Sequence, residues 1–256
     1  MTDPVAPRAR TRLRFSKLGK VRFTSHRDTA RIWERTLRKA ELPVAYTEGF
    51  SPRPRLSFGL ALPTGHESLG EYLDVDLLEG PATHEFDAEE LAARLDSALP
   101  AGFAVQGSTV VEPGTPSLQE AVTSCTWRIE VLGADPGEVG AAVEHLLGDD
   151  HLMVTRERKG RTVEVDLRPA LIELTPSGSE LVAELATQPV SVRPAEVVAA
   201  LAADLPGVAL GRACRTHQWI RADGRCREPL PSPPGLEGWT LATSAVPAPH
   251  ATRRAS

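Results

Sequence analysis

Arg12-Leu-Arg-Phe-Ser16, a glycine at Gly19, and Ser25-His-Arg-Asp-Thr-Ala-Arg-Ile-Trp-Glu-Arg35 decide how this chain reads. Leu13 and Phe15 alternate with Arg12 and Arg14, the period of a half-buried strand. After the turn at Gly19 the alternation resumes, Val21 and Phe23 against Lys20 and Arg22, and predicts more strand. Ser25 stands three residues before Asp28, a capping-box variant that opens a helix. On that helix Ala30, Trp33, Leu37 and Ala40 share one face, while Arg27, Arg31, Arg35 and Arg38 form a second stripe. The helix stops before Pro43.

Working outward, a turn-rich loop from Tyr46 to Arg55 leads into Leu56–Leu62. Tyr72, Asp74 and Asp76 then alternate with Leu73, Val75 and Leu77 as strand. A helix after Asp87 carries Leu91, Ala92, Leu95 and Leu99, and Phe103–Val111 closes the unit. The order is β-α-β-β-α-β, the ferredoxin-like plan. The second half follows it approximately. Trp127, Ile129 and Val131 mark a strand, and Asp135-Pro136 opens a helix. Strands follow at Leu152–Arg156, Thr162–Leu167, Leu171–Leu174 and Leu181–Ala186, and Pro194 starts a last helix. The expected fold is α+β, two tandem ferredoxin-like units over 10–111 and 124–222. Residues 112–123 read as a linker and 223–256 as a disordered, Pro-rich tail. A single larger α+β domain is the alternative.

The net charge of −5 hides an asymmetry: residues 8–58 hold fourteen Lys or Arg against four acids. That is an excess of +10, so the remainder of the chain carries −15. Such a split suggests one face built for a polyanion; the alternative is a solvated, arginine-rich surface. No apolar run is long enough to span a bilayer, and Met1–Arg14 lacks the apolar stretch of a secretory signal. Three cysteines (Cys125, Cys214, Cys226) suit a reducing compartment, and a cytoplasmic location is expected.

If the helices cover one sheet face, Arg12, Arg14 and Arg22 are expected on the open one. The helix arginines, Lys20, Ser25, His26, and Arg53 and Arg55 of the loop join them as the candidate binding set. Guanidinium groups match phosphate geometry bidentately. Tyr46 and Phe50 offer stacking surfaces for unpaired bases. Gly49 permits positive φ, while Ser51, Pro52 and Pro54 complete a stiff loop that holds its arginines outward. His26 is a weak candidate for acid–base catalysis and no other catalytic residue stands out. Cys214, His217 and Cys226 lack the fourth ligand of a structural zinc site, so no metal is expected. The acids Glu67, Glu71, Asp74 and Asp76 read as a solvated face. P-loop, G-x-G-x-x-G, G-x-S-x-G and C-x3-C-x2-C motifs are all absent, and no cofactor is expected.

The blocks Phe23-Thr-Ser-His-Arg-Asp28, Leu37-Arg-Lys-Ala40, Leu42-Pro-Val-Ala-Tyr-Thr-Glu-Gly-Phe-Ser-Pro-Arg-Pro54, Leu62-Pro-Thr-Gly-His-Glu-Ser68 and Glu71-Tyr-Leu-Asp74 resemble the radical SAM-associated protein family of unknown function. Later stretches, Val165-Asp-Leu-Arg-Pro169 and Arg193-Pro194 among them, are similar to its second half. The resemblance implies a separate radical SAM protein as partner, since this chain lacks the cluster cysteines, and an accessory role, binding or presenting a tRNA or rRNA. A metal-independent RNA endonuclease using His26, or a protein-only scaffold, are the alternatives.

Overall fold

In the computed structural model, which describes residues 8–78, 88–158, 160–222 and 224–230, the alternating stretch becomes β1 (Arg8–Lys17). Leu13 and Phe15 are buried against Trp33 and Leu37 of α1 (His26–Lys39), with the Phe15 and Trp33 rings edge to face at 4.9 Å. Ser25 is the N-cap, its hydroxyl accepting the Asp28 backbone N–H at 3.1 Å and satisfying one free donor of the first turn. The alternation after Gly19 does not give strand. Gly19 takes φ 70°, breaks the pleat, and Gly19–Phe23 wind into a 3-10 turn with Phe23 exposed.

The first half continues with β2 (Leu56–Phe58), β3 (Glu67–Leu78), α2 (Ala88–Ala98) and β4 (Phe103–Val111). These strands lie in the order β4-β1-β3-β2, every pair antiparallel. A helical turn, α3 (Leu118–Ala121), precedes the second half. That half comprises β5 (Ser124–Leu132), α4 (Pro136–Gly148), a separate hairpin of β6 (Met153–Arg158) and β7 (Arg161–Asp166), β8 (Leu171–Ser177), β9 (Glu180–Ala186), α5 (Pro194–Leu201) and β10 (Ala209–Ala222). Its strands run β10-β5-β9-β8, again antiparallel.

β3 and β10 pair in parallel over Glu67–Ser68 and Cys214–Arg215, which joins the halves into one nine-stranded mixed sheet among the described residues. The fold is α+β with a large mixed sheet and few helices. Among the described residues the buried apolar side chains form two clusters, the second of which also takes in Leu62 and Tyr72 of the first half. One is built on Leu13, Trp33, Leu73 and Leu95, the other on Trp127, Ile129, Val143, Leu181 and Leu201.

Two boundaries differ from the sequence reading. The expected linker buries Leu118 and Val122 in the second cluster, and α3 is capped by Ser117 and Glu120. Residues 224–230, expected in a disordered tail, are part of the fold. β11 (Arg225–Arg227) turns back on β10, and Leu230 is buried. Residues 231–256 lie outside the described residues.

Candidate functional site

Two arginines expected on an open cationic face are not there. Arg12 is only 4 % exposed and forms a bidentate pair with Asp74, at 2.7 and 2.9 Å. Arg14 is fully buried. It donates to Gln106 Oε1, Tyr72 Oη, Glu228 Oε1 and the Leu230 carbonyl, and its guanidinium lies over the Tyr72 ring. The open face was expected because helices cover only one side of β1. The segment after β10 returns across the other side and buries it.

The acids expected to be solvated supply the countercharge. Asp74 and Glu71 are buried, Asp76 pairs with Arg10, and Glu67 lies 3.7 Å from the half-buried Arg22. Arg22 also stacks on the ring of Phe23 at 4.6 Å. Glu71 is gripped by the buried Arg215, whose Nε and Nη2 reach its carboxylate at 2.6–3.0 Å, while Arg215 also lies over Trp127.

What stays accessible is narrower and continuous in sequence. Lys20, Arg27, Arg31, Arg35 and Arg38 are exposed, and the last four share the outer side of α1. Arg31 pairs with Asp28, whose carboxyl is held below its usual range by the hydrogen bond from Ser25 and then by Arg31. The loop after α1 is closed as a hairpin. The Thr47 N–H donates to the Arg53 carbonyl at 2.9 Å, the Arg53 N–H to Thr47 Oγ1 at 3.0 Å, and Tyr46 bridges Pro54. At its tip Gly49 takes φ 120° and Phe50 projects wholly into solvent, with Ser51 and Arg53 exposed beside it. Tyr46 is half-exposed and Arg55 half-buried. The helix begins at His26, edge-on to Phe58 at 5.2 Å just after the loop, and ends near Val44, bridged to Leu77 just before it.

Beneath the start of α1 lies a feature the sequence reading missed. Lys17, 2 % exposed, closes β1 and opens onto a narrow pocket with His26, Phe58, Leu60, Leu62, Glu71 and Tyr72. The pocket holds about 20 Å³, the room of one water. His26, Leu62, Glu71 and Tyr72 come from three of the sequence blocks that carry the family likeness. Lys17 itself gave no signal, because a lysine in an otherwise basic strand reads as one more surface cation.

Among the described residues no group of three or more His, Cys, Asp or Glu is placed to hold a metal ion. Cys226 is exposed, whereas His217 is buried and stacked on Trp219 at 5.2 Å. No described helix is long and apolar enough to cross a membrane.

Residues 10–199 match the bacterial family described as "Uncharacterized protein conserved in bacteria (DUF2344)", and the chain belongs to that family. No curated protein shows a significant match to it.

Proposed function

With an uncharacterised bacterial family as the starting point, we propose that this protein is a non-catalytic RNA-binding partner that presents a tRNA or rRNA to a separate radical SAM enzyme in the cytoplasm. The observations that carry the RNA part are an exposed arginine stripe on α1 and, in the loop that follows it in the chain, the exposed aromatics Phe50 and Tyr46. Cations along a helix take phosphates by displacing condensed counterions, and an aromatic at a rigid loop tip stacks on an unpaired base. The enzyme partner rests on the resemblance of the N-terminal blocks alone. We read the two four-strand runs as tandem ferredoxin-like units, a reading supported by their shared strand order.

The test is filter binding of total tRNA and rRNA fragments across a salt series. Binding that weakens steeply with salt, and equally for several sequences after charge reversal at Arg27, Arg31 and Arg35, supports the reading. Absence of binding at low salt removes it. RNA cleavage that is lost in His26→Ala replaces it with the nuclease reading.

A further inference from the structure

The buried charge around the pocket under α1 is unbalanced once Arg215, which grips Glu71 without lining the pocket, is counted. Lys17, Arg215 and Glu71 are each at least nine-tenths buried, and together they sum to +1. Arg215 occupies Glu71 with Nε and Nη2, and its Nη2 also reaches the Leu60 carbonyl at 2.8 Å. Lys17 therefore has no carboxylate of its own. Its one hydrogen bond among the described residues goes to the Thr24 carbonyl at 2.9 Å, which leaves two ammonium protons for other acceptors. A buried ammonium paired only with a neutral carbonyl is costly to keep, and a monoanion in contact with it offsets that cost.

We propose that this pocket binds a small monocarboxylic acid, with the carboxylate received by Lys17. The charge fits, since a single negative charge neutralises the cluster. The walls fit as well: Phe15, Phe58, Leu60 and Leu62 are apolar, and besides Lys17 the polar side chains of the lining are His26, Thr29, Tyr72 and Glu71, the last already gripped by Arg215. The Thr29 hydroxyl is already engaged by that of Thr24, at 3.3 Å. A phosphate dianion needs more donors than one ammonium and one imidazole, and it does not suit apolar walls. The depth admits one oxygen-sized group, so one carboxylate oxygen enters while the other oxygen and the short apolar body stay at the opening beside Phe58. Burial, ahead of the opposing effect of Glu71, holds the Lys17 amine below its ordinary range, and a bound carboxylate raises it again. None of this depends on the RNA reading.

The full-length chain is titrated with sodium propionate at constant ionic strength and followed by thermal unfolding. At about ten times Kd, propionate raises Tm by about 3–6 °C, whereas phosphate and chloride leave it unchanged. Lys17→Met, which keeps the length and removes the charge, abolishes the shift. The proposal is overturned by a wild-type chain that does not respond to propionate, by an equal response to phosphate, or by a Lys17→Met chain that still responds. Where Lys17→Met does not fold, the wild-type chain decides. Propionate must slow carbamylation of Lys17 by cyanate, read by peptide mass spectrometry, and an unchanged rate overturns the proposal.

Discussion

Arg14 and Glu228, 214 positions apart in the chain, form an ion pair at 2.8 Å, and the guanidinium is inaccessible to water. Removing one partner of a buried pair leaves the other charge without compensation. Glu228→Ala is expected to lower the unfolding free energy by about 3–5 kcal/mol at neutral pH, measured in urea. A loss under about 1 kcal/mol would mean that Tyr72, Gln106 and the Leu230 carbonyl satisfy Arg14 unaided.

Phe50 touches little of its own protein, so its removal separates binding from folding. Phe50→Ala is expected to leave Tm unchanged while weakening RNA binding by about 1–3 kcal/mol in a fluorescence titration. Arg12→Ala should do the reverse, because Arg12 meets Asp74 and not solvent. If Arg12→Ala reduces RNA affinity in a chain that is still folded, the assignment of the exposed stripe is wrong.

The thiols differ in environment. Burial pushes the Cys125 thiol up to about 11 and Cys214 to about 12, whereas Cys226 is exposed and partial desolvation raises its thiol above the ordinary range. Since the thiolate is the reactive form, one thiol per native chain is expected to react readily with a disulfide reagent at neutral pH. The other two should follow only on unfolding. Rapid reaction of two or more in the native state would contradict the burial of β5 and β10.

His151 and Asp166 form a surface pair at 2.8 Å. The hydrogen bond raises the His151 imidazole above its ordinary range and, with the backbone N–H groups of Leu152 and Arg168, lowers Asp166 to about 2. The histidine part of the stabilisation is complete below its unfolded pKa and fades as pH rises through the raised value. The aspartate part is present above its unfolded pKa and fades as pH falls toward about 2. The pair thus acts most fully between the two ordinary values, near pH 4 to about 6.5. An NMR titration of His151 in Asp166→Asn is expected to show its pKa falling; an unchanged value would show that the contact is absent in solution.

The local features could be read directly from the residues. The Ser25 cap, the Trp33 and Leu37 face, and the Asp135-Pro136 helix start each depend on neighbours within a few positions, where periodicity and capping chemistry act. Which side of β1 meets water could not be read, because an alternating strand defines two faces without saying what covers them. The covering chain arrives from Glu228 and Leu230, and no local pattern announces that return. A partial clue was present in the matched alternation of Arg10, Arg12 and Arg14 with Tyr72, Asp74 and Asp76, residues directly opposite in the β1–β3 register. Opposed stripes of contrary charge on neighbouring strands pair with each other sooner than with a distant ligand. On the exposed side, α1 and the Phe50 loop kept the character that their composition suggests. The Lys17 pocket escaped notice because it gathers one or two residues from each of β1, α1, β2 and β3 and a few from the turn at Leu60.

The return of residues 224–230 onto β1 also bears on how the molecule is made. Synthesis delivers the N-terminal strands first, yet Arg14 cannot reach Glu228 until the 214 residues that follow it have left the ribosome. Until then a half-finished sheet holds an Arg14 guanidinium without its carboxylate and an unfilled neighbour position beside β3. A chaperone that shields nascent chains would find its longest-lived target on that side of the growing molecule.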